Sequence, residues 1–164
     1  MPVIAEGHKN RGKELENRID EWLERYNKHP QMQAVKLNVE KAVTRGGRIK
    51  YTKKQPYDYE IKSTVNSLVL SVLCFDAKQT NKEKFYPAEI KRQRNHQIVE
   101  LKKAQELGAK AGFLVWFKKC DPLMHNLRLI TDFDKPASTK CGEHFDFCKY
   151  FGLQNGFWLR CNNL

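Results

Sequence analysis

The sequence predicts a mixed α/β fold in which helices flank a mixed central β-sheet. Two segments, Ser67–Phe75 and Gly112–Phe117, are almost continuously apolar, which is typical of strands that are buried on both faces. Residues 10–28 and 87–107 instead repeat apolar side chains at helical spacing. The chain of 164 residues is long enough to bury a core of its own, and we expect residues 1–164 to form a single domain.

The first helix and the first strand follow a loose tail over residues 1–9. The helix carries its apolar residues on one side and its charges on the other, and it ends before Pro30. Residues 34–41 alternate apolar and polar side chains. This alternation predicts a strand whose apolar face carries Val35 and Leu37.

Residues 40–55 predict a projecting β-hairpin, which we call the basic finger. Its tip is the pair Gly46-Gly47, because consecutive glycines favour tight hairpin turns. Basic side chains lie on both sides of the tip: Arg45, Arg48, Lys50, Lys53 and Lys54. We expect the basic finger to contact nucleic-acid phosphates, although a solvated hairpin would have the same pattern.

After the basic finger, the sequence predicts a short extended piece and then the apolar strand that runs into Asp76-Ala77-Lys78. A basic loop is expected over residues 81–87, and the second helix ends at Gly108. Leu127–Ile130 is expected to pair with the strand before it through an Asp-Pro turn. Residues 131–164 predict an aromatic-rich cap, either helical or irregular.

The charge balance favours a polyanionic partner. Lys and Arg number 30 against 19 Asp and Glu, which gives a formal net charge of +11. A surface of this sign attracts nucleic acid, because phosphate neutralisation and counterion release supply most non-specific affinity. The longest apolar run is far shorter than a membrane-spanning helix, and no signal peptide is recognisable. We therefore expect a cytoplasmic protein with no membrane partner.

The cysteines do not predict a disulfide framework. There are five of them, an odd number, and no secretory signal precedes them. Cys141, His144 and Cys148 could contribute ligands to a structural zinc site, but they lack the paired spacing of such sites. Reduced, scattered thiols are the favoured interpretation.

Asp58 and the triplet Asp76-Ala77-Lys78 are the strongest candidates for chemistry. Side chains two apart on a strand project from the same face, so Asp76 and Lys78 point together. The span between Asp58 and Asp76 accommodates two antiparallel strands, so the two carboxylates can meet across the sheet. Adjacent carboxylates repel each other unless a cation lies between them, and oxygen ligands suit Mg²⁺ or Mn²⁺. The alternative is a structural salt bridge at the end of a strand.

Four stretches, taken in order, resemble the PD-(D/E)xK nucleases and, more narrowly, the RecU-type Holliday junction resolvases of bacteria and their phages. They are Asn10-Arg-Gly-Lys-Glu-Leu-Glu16, Asp58-Tyr59, Phe75-Asp-Ala-Lys-Gln-Thr80 and His96-Gln-Ile98. The resemblance covers roughly residues 10–117. Asp76 stands where the family usually has glutamate, Gln79 replaces an acidic residue, and Glu60-Ile61 replaces the usual Asn-Gly.

The resemblance implies a restriction-endonuclease-like core and a Mg²⁺-dependent homodimer that acts on branched DNA in a bacterial cell or a phage-infected host. It implies that Asp58 and Asp76, with Glu16 of the first helix, hold the metal. It also implies that Lys78 positions the attacking water and stabilises negative charge, and that Gln97 assists. Mn²⁺ is expected to substitute for Mg²⁺.

The remaining residues each have a plainer interpretation. Glu16 could be a solvated charge near a helix N-terminus, which the helix dipole favours. Gln97 could be a polar residue at the boundary of a helix face. Arg11 and Lys13 are implied to contact DNA near the scissile phosphate, but they could also belong to a basic flexible terminus.

The leading hypothesis is a structure-selective endonuclease that resolves four-way DNA junctions in recombination and repair. One alternative keeps the nuclease but gives it duplex or flap DNA as substrate. Another is a non-catalytic basic module that binds DNA. Relative cleavage of junction, flap and linear duplex separates the first two, and loss of cleavage with retained binding in variants of the acidic pair excludes the third.

Overall fold

The computed structural model describes residues 12–37, 41–43, 47, 49–51, 56–124, 127–139 and 143–144. The elements, in chain order, are α1 (Lys13–Tyr26), β1 (Met32–Lys36), β2 (Lys41–Val43), β3 (Ile49–Tyr51), β4 (Tyr59–Val65), β5 (Leu68–Thr80), β6 (Lys84–Phe85), α2 (Pro87–Glu106), β7 (Lys110–Phe117), β8 (Arg128–Ile130), β9 (Ala137–Ser138) and β10 (Glu143–His144).

A six-stranded sheet in the order β1-β4-β5-β7-β8-β10 forms the centre of the fold. The β5–β7 pair is parallel and the other neighbours are antiparallel, so the predicted mixed sheet is confirmed. Two smaller sheets pair β2 with β3 and β6 with β9. A parallel pair needs a long crossover, and α2 supplies it between β5 and β7.

Helix α1 covers one face of the sheet. Its residues Leu15, Ile19 and Leu23 are buried in a cluster that also contains Tyr59 and Phe75 of the sheet. At the end of the helix the Asn27 side chain donates to the Ala34 carbonyl at 2.8 Å and accepts from the Ala34 N–H at 2.7 Å. This pair of hydrogen bonds fixes the direction in which the chain enters β1.

Helix α2 covers the other face, as its periodicity predicts. Ile98 and Leu101 lie in a second buried cluster with Cys74, Phe113 and other residues of β5 and β7. Proline at the first turn suits the start of the helix, because its missing N–H has no partner there in any case. The chain leaves the helix through Gly108 at a φ of +88°, a conformation that glycine adopts without strain.

The prediction that β5 is buried on both faces is correct only for its middle. Leu73 to Asp76 are buried, but Leu68, Val69 and Leu70 are 54–69% exposed. These three residues form the solvent-facing end of the β4–β5 hairpin, where apolar composition does not reflect burial. The strand also continues through Lys78 to Thr80, beyond its apolar run.

Strand β1 has the opposite phase to the one predicted. Met32 and Ala34 are buried, whereas Val35 is 39% exposed and Leu37 lies just past the strand. In a strand that begins with a buried Met32, the even-numbered residues face inward. The prediction assigned the odd-numbered residues to that face, and a phase error of one residue places every side chain on the wrong face.

Two loop predictions are also corrected. The expected basic loop at 81–87 contains the short strand β6, which pairs with β9 of the expected cap. Within that cap region β10 pairs with β8 and joins the central sheet, so the described part of residues 131–144 is not only a cap. The predicted pairing of Leu127–Ile130 with the preceding strand is confirmed by the β7–β8 ladder.

Candidate active site

Asp58 and Asp76 lie next to each other where β4 begins. Tyr59 pairs with Phe75 at this end of the β4–β5 ladder. Asp58 and Asp76 are the next residue on each side, so they stand opposite each other. The backbone N–H of Asp58 donates to Oδ1 of Asp76 at 2.8 Å, and the Ala77 N–H donates to Oδ2 of Asp58 at 3.3 Å. Each aspartate therefore bonds the backbone of the other strand, which holds the two carboxylates close together.

Lys78 follows Asp76 on the same face of β5, the face that α2 covers. Its Nζ lies 3.8 Å from Oδ2 of Asp76 and donates to Oε1 of Gln97 on α2 at 3.2 Å. The ammonium group also lies 5.6 Å from the centre of the Phe113 ring. The Lys78 side chain is only 15% exposed, so these contacts hold the ammonium in a partly dehydrated position. The structure thus brings four of the predicted residues together.

The electrostatics of this cluster are unbalanced. The pKa of Asp76 is raised to about 7, chiefly by burial; the charge of Lys78 acts to lower it and the neighbouring charge of Asp58 acts to raise it. The Asp76 side chain is fully buried, and its Oδ2 atom has no hydrogen-bond partner in the described part of the chain. Two ionised carboxylates and one ammonium leave the cluster with an excess of negative charge. A divalent cation bound by carboxylate oxygens would compensate this excess.

Asp58 and Asp76 are the carboxylates that the fold brings to this point. Among the described residues no group of three histidine, cysteine, aspartate or glutamate side chains gathers closely enough to hold a metal ion. Two carboxylates are sufficient for Mg²⁺, which usually keeps several of its waters and takes one or two carboxylates together with phosphate oxygens.

Glu16 is not part of this cluster in the structure. It lies on α1, on the opposite side of the sheet from α2, and its carboxylate lies 3.6 Å from Nζ of Lys36. Lys36 also pairs with Asp20 at 2.8 Å, and the Tyr59 hydroxyl donates to Asp20 at 3.2 Å. Glu16 therefore belongs to an ionic group on the α1 face.

The predicted DNA-binding residues are described only in part. Lys13 is exposed in the first turn of α1, and Arg11 lies outside the described residues. The basic finger is a hairpin as predicted, because β2 pairs with β3 and Lys50 stands opposite Ala42. Four finger residues, namely Arg45, Arg48, Lys53 and Lys54, lie outside the described residues, as do Cys141 and Cys148 of the zinc hypothesis.

Three residues beside the aspartates were not singled out by sequence. Tyr57 donates its hydroxyl hydrogen bond to Oε2 of Glu60 at 2.9 Å, and Cys74 stands opposite Glu60 in the β4–β5 ladder. Burial raises the pKa values of both the Tyr57 phenol and the Cys74 thiol. The available signal was spacing: Glu60 is two residues from Asp58, and Cys74 is two residues from Asp76.

A protein-family model described as "Recombination protein U" matches residues 10–140 of the chain. No curated protein matches the chain. Within the part of the chain that the structure describes, neither helix combines the length and the apolar character needed to cross a bilayer. The family match spans α1, the two aspartates, Lys78 and Gln97.

Proposed function

The chain belongs to the RecU family of recombination proteins and has a restriction-endonuclease-like core, and on this premise we propose that it resolves four-way DNA junctions by metal-dependent phosphodiester hydrolysis. Membership of the family implies a resolvase role at Holliday junctions. The observation that carries the proposal is the pairing of Asp58 with a fully buried Asp76, whose free oxygen lies 3.8 Å from Lys78. A module that only binds DNA does not require two adjacent carboxylates, whereas hydrolysis assisted by a metal ion does.

Asp58 and Asp76 are the residues that would hold the metal, with Mg²⁺ as the expected ion and Mn²⁺ as a substitute. A divalent ion in this position lowers the pKa of a bound water and neutralises charge on the scissile phosphate. The unpartnered oxygen of Asp76 supports this assignment. Glu16 stays a predicted third ligand, although in the structure its carboxylate contacts Lys36.

Lys78 is the residue that would stabilise the negative charge developing on the phosphate. Its ammonium is held between Asp76 and Gln97, so it needs no reorientation when the charge appears. Gln97 is itself buried on α2 and accepts from Lys78. In this proposal Gln97 fixes the direction of the lysine side chain, and Lys78 orients the attacking water.

Basic residues outside the site would supply affinity for the DNA backbone. The basic finger and the start of α1, with Arg11 and Lys13, are the proposed contacts. Branched DNA is recognised by the arrangement of its arms and by backbone charge rather than by base edges. Symmetric resolution requires cuts in two opposed strands, so we propose that the chain acts as a homodimer with two sites related by a two-fold axis.

The proposal is tested by cleavage of a labelled four-way junction, a flap and a linear duplex, each with and without Mg²⁺. We expect Mg²⁺-dependent cleavage that is much faster on the junction. Asp58→Asn and Asp76→Asn should abolish it and leave junction binding intact, whereas Asp134→Asn, at a 72% exposed side chain, is the matched control. Equal rates on all three substrates would exclude the resolvase function.

Metal binding is measured separately from cleavage. Mg²⁺ should raise the thermal midpoint of the wild type and of D134N, because an ion that binds only the folded state stabilises it. The same titration should produce little shift in D58N and D76N. Equal shifts in all four proteins would contradict the assignment of the metal to the two aspartates.

A further inference from the structure

Asp58 lies outside regular structure, although the proposed function requires its carboxylate to be fixed. Strand β4 begins one residue later, at Tyr59. The Asp58 backbone is held by its N–H bond to Asp76 and by its carbonyl, which accepts from the Leu37 N–H at 2.8 Å. The first of these bonds uses an oxygen of the carboxylate that would also bind metal. A further anchor that does not involve the metal site would therefore preserve the geometry.

We propose that Tyr57 is this anchor, a positioning residue that holds Asp58 in place through its hydroxyl group. The inference rests on the proposed function, because positioning matters only if Asp58 binds metal. Tyr57 precedes Asp58 directly, and its side chain reaches back along β4 to donate to Oε2 of Glu60 at 2.9 Å. The ring packs against the buried cluster under α2. The peptide that carries Asp58 is thereby tied at both ends.

The partner of the hydroxyl is itself fixed. Glu60 stands directly opposite Cys74 in the ladder, which joins it to β5. Lys62 holds the other oxygen of Glu60 at 2.7 Å. Cys74 is 1% exposed and lies two residues before Asp76 on the same face. The hydroxyl is therefore tied to β4 at a residue that the ladder joins to β5, the strand that carries Asp76.

The surroundings make this hydrogen bond necessary. Tyr57, Glu60, Lys62 and Cys74 line a cleft of about 380 Å³ between β5 and the end of α2. Tyr57 is half-buried at the edge of this cleft, and its hydrogen bond to Glu60 fixes the hydroxyl there. A phenol is protonated at neutral pH, so the hydroxyl remains a donor.

The test is Tyr57→Phe, which keeps the ring and removes only the hydroxyl. Removing a group that orients a metal ligand typically lowers metal affinity or activity about 10- to 100-fold. We expect Y57F to cleave the junction at least about 10-fold more slowly in kcat, with little change in KM, and to need severalfold more Mg²⁺ for half of its thermal shift. Tyr86→Phe, at a partly exposed tyrosine before α2, is the matched control and should behave as wild type.

A pair of Glu60 variants separates positioning from a general structural role. Glu60→Gln keeps an oxygen that accepts the hydrogen bond, and it should stay close to wild type in kcat and Mg²⁺ response. Glu60→Leu removes the acceptor and should match Y57F. The inference is overturned if Y57F retains wild-type kcat and Mg²⁺ response, or if E60Q and E60L lose activity alike.

Failure of the proposed function gives a different result. A wild-type chain that cuts no junction but shows a Mg²⁺-dependent thermal shift would refute the resolvase activity. The shift in Y57F would then still decide the role of Tyr57, since it does not depend on cleavage.

Discussion

The Asp76 carboxylate opposes folding when no metal is bound. Its pKa is raised to about 7 in the folded chain, whereas an unfolded aspartate ionises near 4. Between these values the folded state binds more protons than the unfolded state, so the free energy of unfolding falls as pH rises through this window. Below about pH 4 both states are protonated and the penalty is absent.

Asp76→Asn should therefore stabilise the metal-free protein at high pH. Asparagine keeps the oxygen that accepts the Asp58 N–H bond and removes the buried charge. In EDTA we expect the thermal midpoint of D76N to exceed that of wild type by a few degrees at pH 8, and by much less at pH 4.5. Thermal melts at the two pH values measure this, and an advantage of D76N that does not grow with pH would refute the electrostatic explanation.

Lys78 should be required for cleavage and dispensable for binding. Lys78→Gln retains polarity but removes the charge between Asp76 and Gln97. We expect a loss of about 100-fold or more in kcat, which is typical when a preorganised stabilising group is deleted. Junction affinity, measured in Ca²⁺ or EDTA, should change little. Lys82→Gln is the control because Lys82 is 69% exposed, and equal losses in the two variants would show that the site charge has no special role.

Among the elements, one apolar strand and one amphipathic helix were predicted best. Strand β7 and helix α2 are long enough for composition and period to determine their burial. The phase of β1 was not predictable, because five residues fit either register and the hydrogen bonds of Asn27 to Ala34 decide between them. The predicted burial of β5 was wrong at Leu68 to Leu70, because the end of a hairpin exposes apolar side chains that composition alone assigns to the core.

In the candidate site, too, local sequence patterns predicted some contacts and missed others. Alternation on a strand was sufficient to place Asp76 beside Lys78, and the length of one hairpin was sufficient to bring Asp58 to them. The contact of Glu16 with Lys36 depends on how α1 lies across the sheet, which no local pattern encodes. Tyr57 was overlooked because its role comes from a side chain that folds back to Glu60, not from its own position in a motif.

The β4–β5 hairpin contains a strained turn that can be relieved. Asn66 and Ser67 have φ values of 50° and 64°, as a two-residue type I′ turn requires, and serine rarely adopts this conformation. Ser67→Gly creates the favoured Asn-Gly pair. We expect a net stabilisation of about 0.5 kcal/mol, since relief of strain outweighs the added entropy of the unfolded chain.

Urea unfolding measures this small difference. Ser67→Ala is the control, because it removes the hydroxyl but keeps the left-handed strain, and it should not stabilise. Cleavage rates should be unchanged in both variants, as the turn lies at the far end of the hairpin from Asp58. A gain in S67A equal to that in S67G would attribute the effect to the hydroxyl group and not to the backbone.

At the scale of the whole molecule, a net charge of +11 coexists with an acidic cluster at the site. The two are compatible because Asp76 is fully buried with Lys78 beside it, so its carboxylate contributes little to the charge of the exposed surface. Affinity and chemistry then depend on different residues. The division predicts that binding and metal response can be altered independently.

Neutralising the basic finger tests this division. Changing five of its six basic residues to Gln should weaken junction binding and reduce the slope of log Kd against log salt by up to about 4.5, since each phosphate contact in duplex DNA contributes about 0.9. The Mg²⁺-induced thermal shift should stay at the wild-type value. The substituted positions are Arg45, Arg48, Lys50, Lys53 and Lys54.

A second variant with the same total charge supplies the comparison. It carries Gln at five exposed lysines outside the finger: Lys28, Lys102, Lys103, Lys119 and Lys135. If the finger contacts phosphates directly, its variant must lose more affinity and more salt dependence than this one, because long-range attraction alone depends on net charge and both proteins lose five charges. Fluorescence anisotropy from 50 to about 200 mM salt covers the range in which such contacts change affinity most. Identical slopes would mean that the hairpin adds only to the general field of the protein, and the DNA contacts would then have to lie on another surface.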